Sequence, residues 1–221
     1  MASCPSCGKE LPGEFPFCPF CAAPLTEQPS VPVQEERKVV SVLFCDLVGF
    51  TAASDAADPE DVRARIRTYH ARLRQELERF GGTVEKFVGD AVMAVFGAPV
   101  AHEDDAERAV RAGLRLLEAI EELNAAEPAL SLQVRVGINT GEAVVALEAR
   151  PELGEGLVTG DVVNTASRLQ GVAPVNAVAV SEQTYRATER VFDWERLEPV
   201  TVKGKTEPLA IWRPLRALAR L

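Results

Sequence analysis

Residues 83–96 read Thr-Val-Glu-Lys-Phe-Val-Gly-Asp-Ala-Val-Met-Ala-Val-Phe. Thr83–Val88 and Ala91–Phe96 are short β-rich runs, and Gly89-Asp90 between them is a two-residue hairpin signal. The stretch predicts an antiparallel hairpin with Asp90 at its tip. Upstream, Val39–Cys45 is an apolar run ending at Asp46, suited to a buried strand. Asp58-Pro59-Glu60-Asp61 has the cap, proline and acids of a helix start. Val62, Ile66, Tyr69, Leu73, Leu77 and Phe80 then share one helical face, and Gly81-Gly82 ends it.

Downstream, a second helix is expected from about Asp104 to Leu123. Leu132, Val134, Val136 and Ile138 alternate with polar or small residues, as in a half-buried strand. A strand near Glu142–Leu147, a helix from about Asp161 to Gln170, and strands near 177–180 and 208–212 complete the pattern. The opening order β-α-β-β-α-β predicts a ferredoxin-like α+β core with added C-terminal elements.

The chain has 221 residues, 47% hydrophobic and 26% charged, which suffices for one full domain and a small module. Its net charge of −9 argues against a broad grip on nucleic acid or on an anionic membrane. The N-terminus lacks the basic start and apolar stretch of a signal peptide. The apolar stretch Ala91–Ala101 is interrupted by Gly97 and Pro99 and is too short to span a bilayer. A cytoplasmic, membrane-free protein is expected, and in a reducing compartment clustered cysteines point to metal rather than disulfides.

Cys4-x2-Cys7 and Cys18-x2-Cys21 are two thiolate pairs, each able to hold one edge of a tetrahedral Zn²⁺ site. So small a segment cannot bury a core, and metal binding, roughly 10–16 kcal/mol in comparable peptides, would supply its folding energy. We read 1–26 as a zinc ribbon with one structural Zn²⁺ and an unidentified partner. Residues 27–36 read as a linker, 37–213 as the main domain and 214–221 as a tail. Lys9 is the ribbon's one basic residue, which disfavours DNA as that partner. Cys45 reads as a small core residue.

The main domain holds the residues with chemistry. Asp46 ends the first strand and Asp90 tips the hairpin expected beside it. Two carboxylates at adjacent strand ends can hold two hard cations. Gly49, Phe50 and Thr51 follow Asp46 in a turn whose backbone N–H groups can face phosphates. Asn164 and Arg168 are four apart and share a helix face. An arginine can brace charge on a phosphate and an asparagine can orient a sugar. Lys203-Gly204-Lys205 is a basic loop.

These pieces resemble one family. Phe44-Cys-Asp46-Leu-Val-Gly49-Phe50-Thr51, Glu85-Lys86-Phe-Val-Gly89-Asp90, Arg135-Val-Gly137-Ile-Asn-Thr-Gly141, Gly160-Asp-Val-Val-Asn164-Thr-Ala-Ser-Arg168-Leu and Val202-Lys203-Gly204-Lys205 occur in order. The chain is similar to class III adenylyl/guanylyl cyclase domains over about residues 37–213. The resemblance implies that Asp46 and Asp90 bind two Mg²⁺ or Mn²⁺ ions and that Lys86 reads the base. It implies that Asn164 positions the ribose, Arg168 stabilises the transition state, and Lys203 or Lys205 meets the terminal phosphates. It also implies a homodimer in which the aspartates come from one protomer and Lys86, Asn164 and Arg168 from the other.

A lysine donates to adenine N1, whereas guanine N1 carries a hydrogen, so Lys86 favours ATP. The family's second base-reading position falls on Leu157, which cannot accept from the adenine amine. The resulting expectation is an adenylate cyclase forming 3′,5′-cyclic AMP and pyrophosphate in intracellular signalling. The alternative, resting on Leu157, is a weak or inactive cyclase-like domain used for dimerisation or nucleotide sensing.

Overall fold

The computed structural model describes residues 3–4, 6–10, 13, 15, 17–21, 23, 25, 34–50, 59–128, 130–202 and 207–218, with the backbone alone at 59 and 61–65. The chain divides into two compact units, Met1–Gln34 and Glu35–Leu221. In the larger unit, strands are β1 (Glu35–Leu47), β2 (Thr83–Val88), β3 (Ala91–Phe96), β4 (Val134–Ala146), β5 (Val158–Thr159), β6 (Ala177–Ser181), β7 (Phe192–Arg196) and β8 (Ile211–Ala217). Helices are α1 (Pro59–Arg79), α2 (Asp105–Ala126), α3 (Asp161–Val172) and α4 (Glu182–Thr188).

The strands form one sheet in the order β2-β3-β1-β4-β6-β8-β7, with β5 added to β4. The opening β1-α1-β2-β3-α2-β4 is the expected α+β order, and β4 beside β1 is its expected closure. β4 and β6 pair in parallel at the centre, and all of β6 is buried, as a strand covered on both faces should be.

Alternation along β1 assigns its side chains to two layers. Leu43, Cys45 and Leu47 face one cluster with Tyr69, Leu73 and Leu77 of α1 and Ala109 and Leu116 of α2. Val40 and Val42 face a second cluster with Val162 and Ala166 of α3. Gly137 in β4 lets α3 sit directly on the sheet: a Cβ there would lie 2.2 Å from Gln170 N and 2.6 Å from Ala166 O. The buried Asn139 side chain donates to the Val162 carbonyl at 3.1 Å and fixes the start of the same helix. Between α1 and α2, Arg115 bridges Glu76 at 3.1 Å and Glu122 at 2.7 Å.

Several boundaries differ from the reading above. β1 begins at Glu35, so two residues assigned to the linker are strand, paired Glu35↔Ala146 and Glu36↔Val145 along the full length of β4. The two strands expected over 132–147 are one, because Gly137, Thr140 and Gly141 interrupt the apolar pattern without interrupting the ladder. Residues 214–217, assigned to the tail, belong to β8. Pro214 is accommodated beside a bulge in β8, where Asp193 pairs with Arg216 and Trp194 with Pro214, leaving Leu215 as the extra residue. α4 and β7 are additional elements. Among the described residues, no helix is long and apolar enough to cross a membrane.

Candidate active site

Asp46 lies one residue before the end of β1, on the face of the sheet that α3 covers. Its antiparallel partner on β4 is Arg135. On the other side β1 pairs with β3 through Cys45↔Val92, which brings the Gly89-Asp90 turn alongside the end of β1. Gly89 takes φ +63°, the left-handed conformation the tight turn requires. The two carboxylates meet there. Asp46 is pushed up to about 6, first by burial, then by the hydrogen bond to Asp90 and by its negative charge. The Leu47 N–H and the Gln170 side chain oppose this rise; Gln170 Nε2 donates to Asp46 Oδ2 at 3.5 Å.

Two carboxylates brought side by side form an all-oxygen donor set whose charge a hard divalent cation would neutralise. Gly49, at φ +72° and with no described residue within 4 Å of where a Cβ would be, turns the chain just past Asp46. Phe50 packs onto the main core cluster. Thr51, Lys203 and Lys205 lie outside the described residues.

Asn164 is exposed and Arg168 half-buried on α3. Ala166 and Gln170 form the side of α3 seated on Gly137. Residues two positions away on a helix are turned by about 200°, so Asn164 and Arg168 project from the side opposite the sheet. Within one protomer the body of α3 therefore lies between the sheet and the Asn–Arg pair.

Lys86 is on edge strand β2, its side chain 51% exposed, with Nζ 3.4 Å from Glu85 Oε1. Leu157 is 2% exposed and packs with Val158 and Val162 in the second core cluster. Its side chain is spent on the core. Gln170, Glu85 and the placement of Arg135 opposite Asp46 are the site features that spacing alone did not reveal.

In the smaller unit, the Sγ atoms of Cys4, Cys7, Cys18 and Cys21 all lie within 4.8 Å of one another. The Cys4–Cys21 and Cys7–Cys18 separations are each 3.7 Å. A tetrahedron with Zn–S bonds of about 2.3 Å has edges of about 3.75 Å, so the thiols fit that ion. The Phe20 N–H donates to Cys18 Sγ at 3.4 Å, orienting one of them.

Residues 32–212 match the adenylate and guanylate cyclase catalytic domain, and residues 1–26 match a domain of unknown function, DUF7575. Adenylate cyclase 1 of Rhizobium meliloti (strain 1021) is 37% identical over 181 residues, covering 80% of this chain and 27% of that protein. The adenylyl cyclase CyaB from P. aeruginosa superposes with a TM-score of 0.78 at 29% identity, over 85% of this chain and 99% of that one. The GTP-bound guanylate cyclase domain of RhGC from Catenaria anguillulae gives 0.73 at 28% identity, over 83% and 99%. The chain spans between 18% and 36% of the length of three curated relatives it matches.

Proposed function

Because the chain belongs to the adenylate and guanylate cyclase catalytic-domain family, we propose that it converts ATP to 3′,5′-cyclic AMP and pyrophosphate at sites shared between two copies of itself. The observation that carries this reading is the meeting of Asp46 and Asp90 at neighbouring strand ends. Divalent ions held by these carboxylates would supply acidification of the ribose 3′-hydroxyl and charge neutralisation on the departing pyrophosphate.

The remaining work falls to the chain's own side chains. Asn164 holds the ribose so that its 3′-oxygen lies in line with the α-phosphorus. A bond forms between these atoms as the bond from the α-phosphorus to the pyrophosphate oxygen breaks, and the 3′-hydroxyl proton leaves to solvent. Arg168 stabilises the charge that builds on the α-phosphate oxygens. Arg135, opposite Asp46, adds a fixed positive charge beside the phosphates. Lys86 donates to adenine N1, which a guanine N1–H cannot accept.

Within one chain the body of α3 lies between the sheet and Asn164 and Arg168, which supports a two-fold arrangement in which each protomer completes the other's site. The buried Leu157 offers the adenine amine no acceptor, so base selection rests on Lys86 and whatever holds it. The ribbon would carry one structural Zn²⁺. The test is direct: the purified chain with ATP or GTP and Mn²⁺ should form cyclic AMP in preference to cyclic GMP. No cyclic product from either nucleotide would refute the proposal.

A further inference from the structure

The ladder between β2 and β3 pairs Val84 with Ala94 and then Lys86 with Met93, so Glu85 is an extra residue in β2. In a regular strand, residues 85 and 86 would point to opposite faces. A bulge re-aims side chains locally, and here it brings Glu85 Oε1 to 3.4 Å from Lys86 Nζ. Glu85 is only 4% exposed, an unusual position for an acid. Its Oε2 is enclosed and makes no hydrogen bond among the described residues. Burial pushes the Glu85 carboxyl up, while Lys86 and the backbone N–H groups of Val158 and Leu157 hold it down. One buried carboxylate therefore lies between Lys86 and the backbone of the 157–158 segment, whose Leu157 side chain is turned into the core.

We propose that Glu85 is a positioning residue for base selection, fixing the Lys86 ammonium and bracing it against the 157–158 segment. The inference rests on the cyclase reading. An ammonium carries three N–H donors. One committed to Glu85 leaves two, held in a narrow range of directions, for the acceptor N1 of adenine. Without Glu85, Lys86 is a half-exposed edge-strand lysine that samples many rotamers, and ordering it would cost binding free energy. Glu85 thereby takes over by charge the bracing that the apolar Leu157 side chain cannot provide.

Three nucleotides isolate this role. Inosine triphosphate replaces the N1 acceptor by N1–H. Purine riboside triphosphate keeps N1 and lacks the amine. The full chain and its Glu85→Gln variant are compared in kcat/KM and in equilibrium Kd with these and with ATP. The ATP-over-inosine ratio should fall about 3- to 10-fold in Glu85→Gln. The purine-riboside-over-inosine ratio should fall equally, because the effect runs through Lys86 and N1. The melting temperature and the Mn²⁺ concentration for half-activation should not move. Glu85→Asp, which keeps the charge on a shorter arm, should recover part of the ratio, and it carries the comparison if Glu85→Gln does not fold.

An unchanged ratio, or an equal loss for all three nucleotides alongside lower thermal stability, overturns the proposal. A fall confined to ATP also overturns it, since Glu85 would then touch the amine itself. If the chain binds ATP but cyclises nothing, the cyclase reading fails while the Kd ratio still decides the role of Glu85. If it binds no nucleotide, both fall.

Discussion

Gln170 of α3 donates to Asp46 at the end of β1, across 3.5 Å. The contact joins the helix that carries Asn164 and Arg168 to the carboxylate pair. A donor to a carboxylate favours its ionised, metal-binding form. Gln170→Ala should raise the Mn²⁺ needed for half-maximal activity by about tenfold, the low end for a residue that hydrogen-bonds a metal-holding carboxylate, because the contact is long. Turnover at saturating Mn²⁺ should change little. A metal titration followed by activity checks this, and an unaltered curve would remove Gln170 from the site.

The carboxylate pair also makes a prediction in which stability and activity move oppositely. Asp46 titrates near 6 in the folded chain, above its ordinary value of 3.8. The folded state therefore binds this proton more tightly than the unfolded state does. Metal-free stability should fall as pH rises from about 4 to about 6, while metal binding, which needs both carboxylates ionised, strengthens over the same window. Asp90→Asn removes the repulsion. It should stabilise the metal-free protein by about 1 kcal/mol, discounted for the partial exposure of the pair, or a few degrees in Tm. Cyclisation should be lost. A drop in the metal-free Tm of Asp90→Asn would contradict the electrostatic account.

Gly137 is where α3 meets the sheet. A methyl group there would lie 2.2 Å from Gln170 N and 2.6 Å from Ala166 O, both backbone atoms. Gly137→Ala should therefore displace the helix and lower stability by about 3 kcal/mol, the upper part of the range for overpacking. Because Gln170, Asn164 and Arg168 all ride on α3, activity should fall even below the melting transition. Thermal unfolding monitored by circular dichroism, with activity measured at low temperature, separates the two effects.

The ribbon should contain about one zinc per chain, since the four thiols fit a single tetrahedral ion. Cys18→Ser should drop zinc content well below half. Full occupancy in that variant, by elemental analysis, would sink the four-thiolate assignment.

The amino-acid sequence made some of this site legible and concealed the rest for identifiable reasons. The hairpin signal at Gly89-Asp90 and the apolar run ending at Asp46 sufficed to place those aspartates side by side, because turn type and burial are local properties. The β2 bulge was hidden, since Thr83–Val88 reads as an ordinary strand and nothing local marks Glu85 as an inserted residue. Gln170 fell at the expected end of a helix, where periodicity gives no reason to single it out. Leu157 was placed by counting back from Asn164. Counting fixes a position along the chain and not the direction of a side chain, which here points into the core. Strands β7 and β8 escaped in part because Pro214 and a register irregularity break their alternation.

The central claim is that one protomer's Asp46 and Asp90 work with the other's Asn164 and Arg168. Asp46→Ala and Arg168→Ala homodimers should each be inactive. When the two variants are mixed under conditions that exchange subunits, half the dimers should be mixed, each with one intact site of two, giving about a quarter of wild-type cyclic AMP formation. Mixed dimers verified by differential tagging that form no more cyclic AMP than either parent would contradict the account.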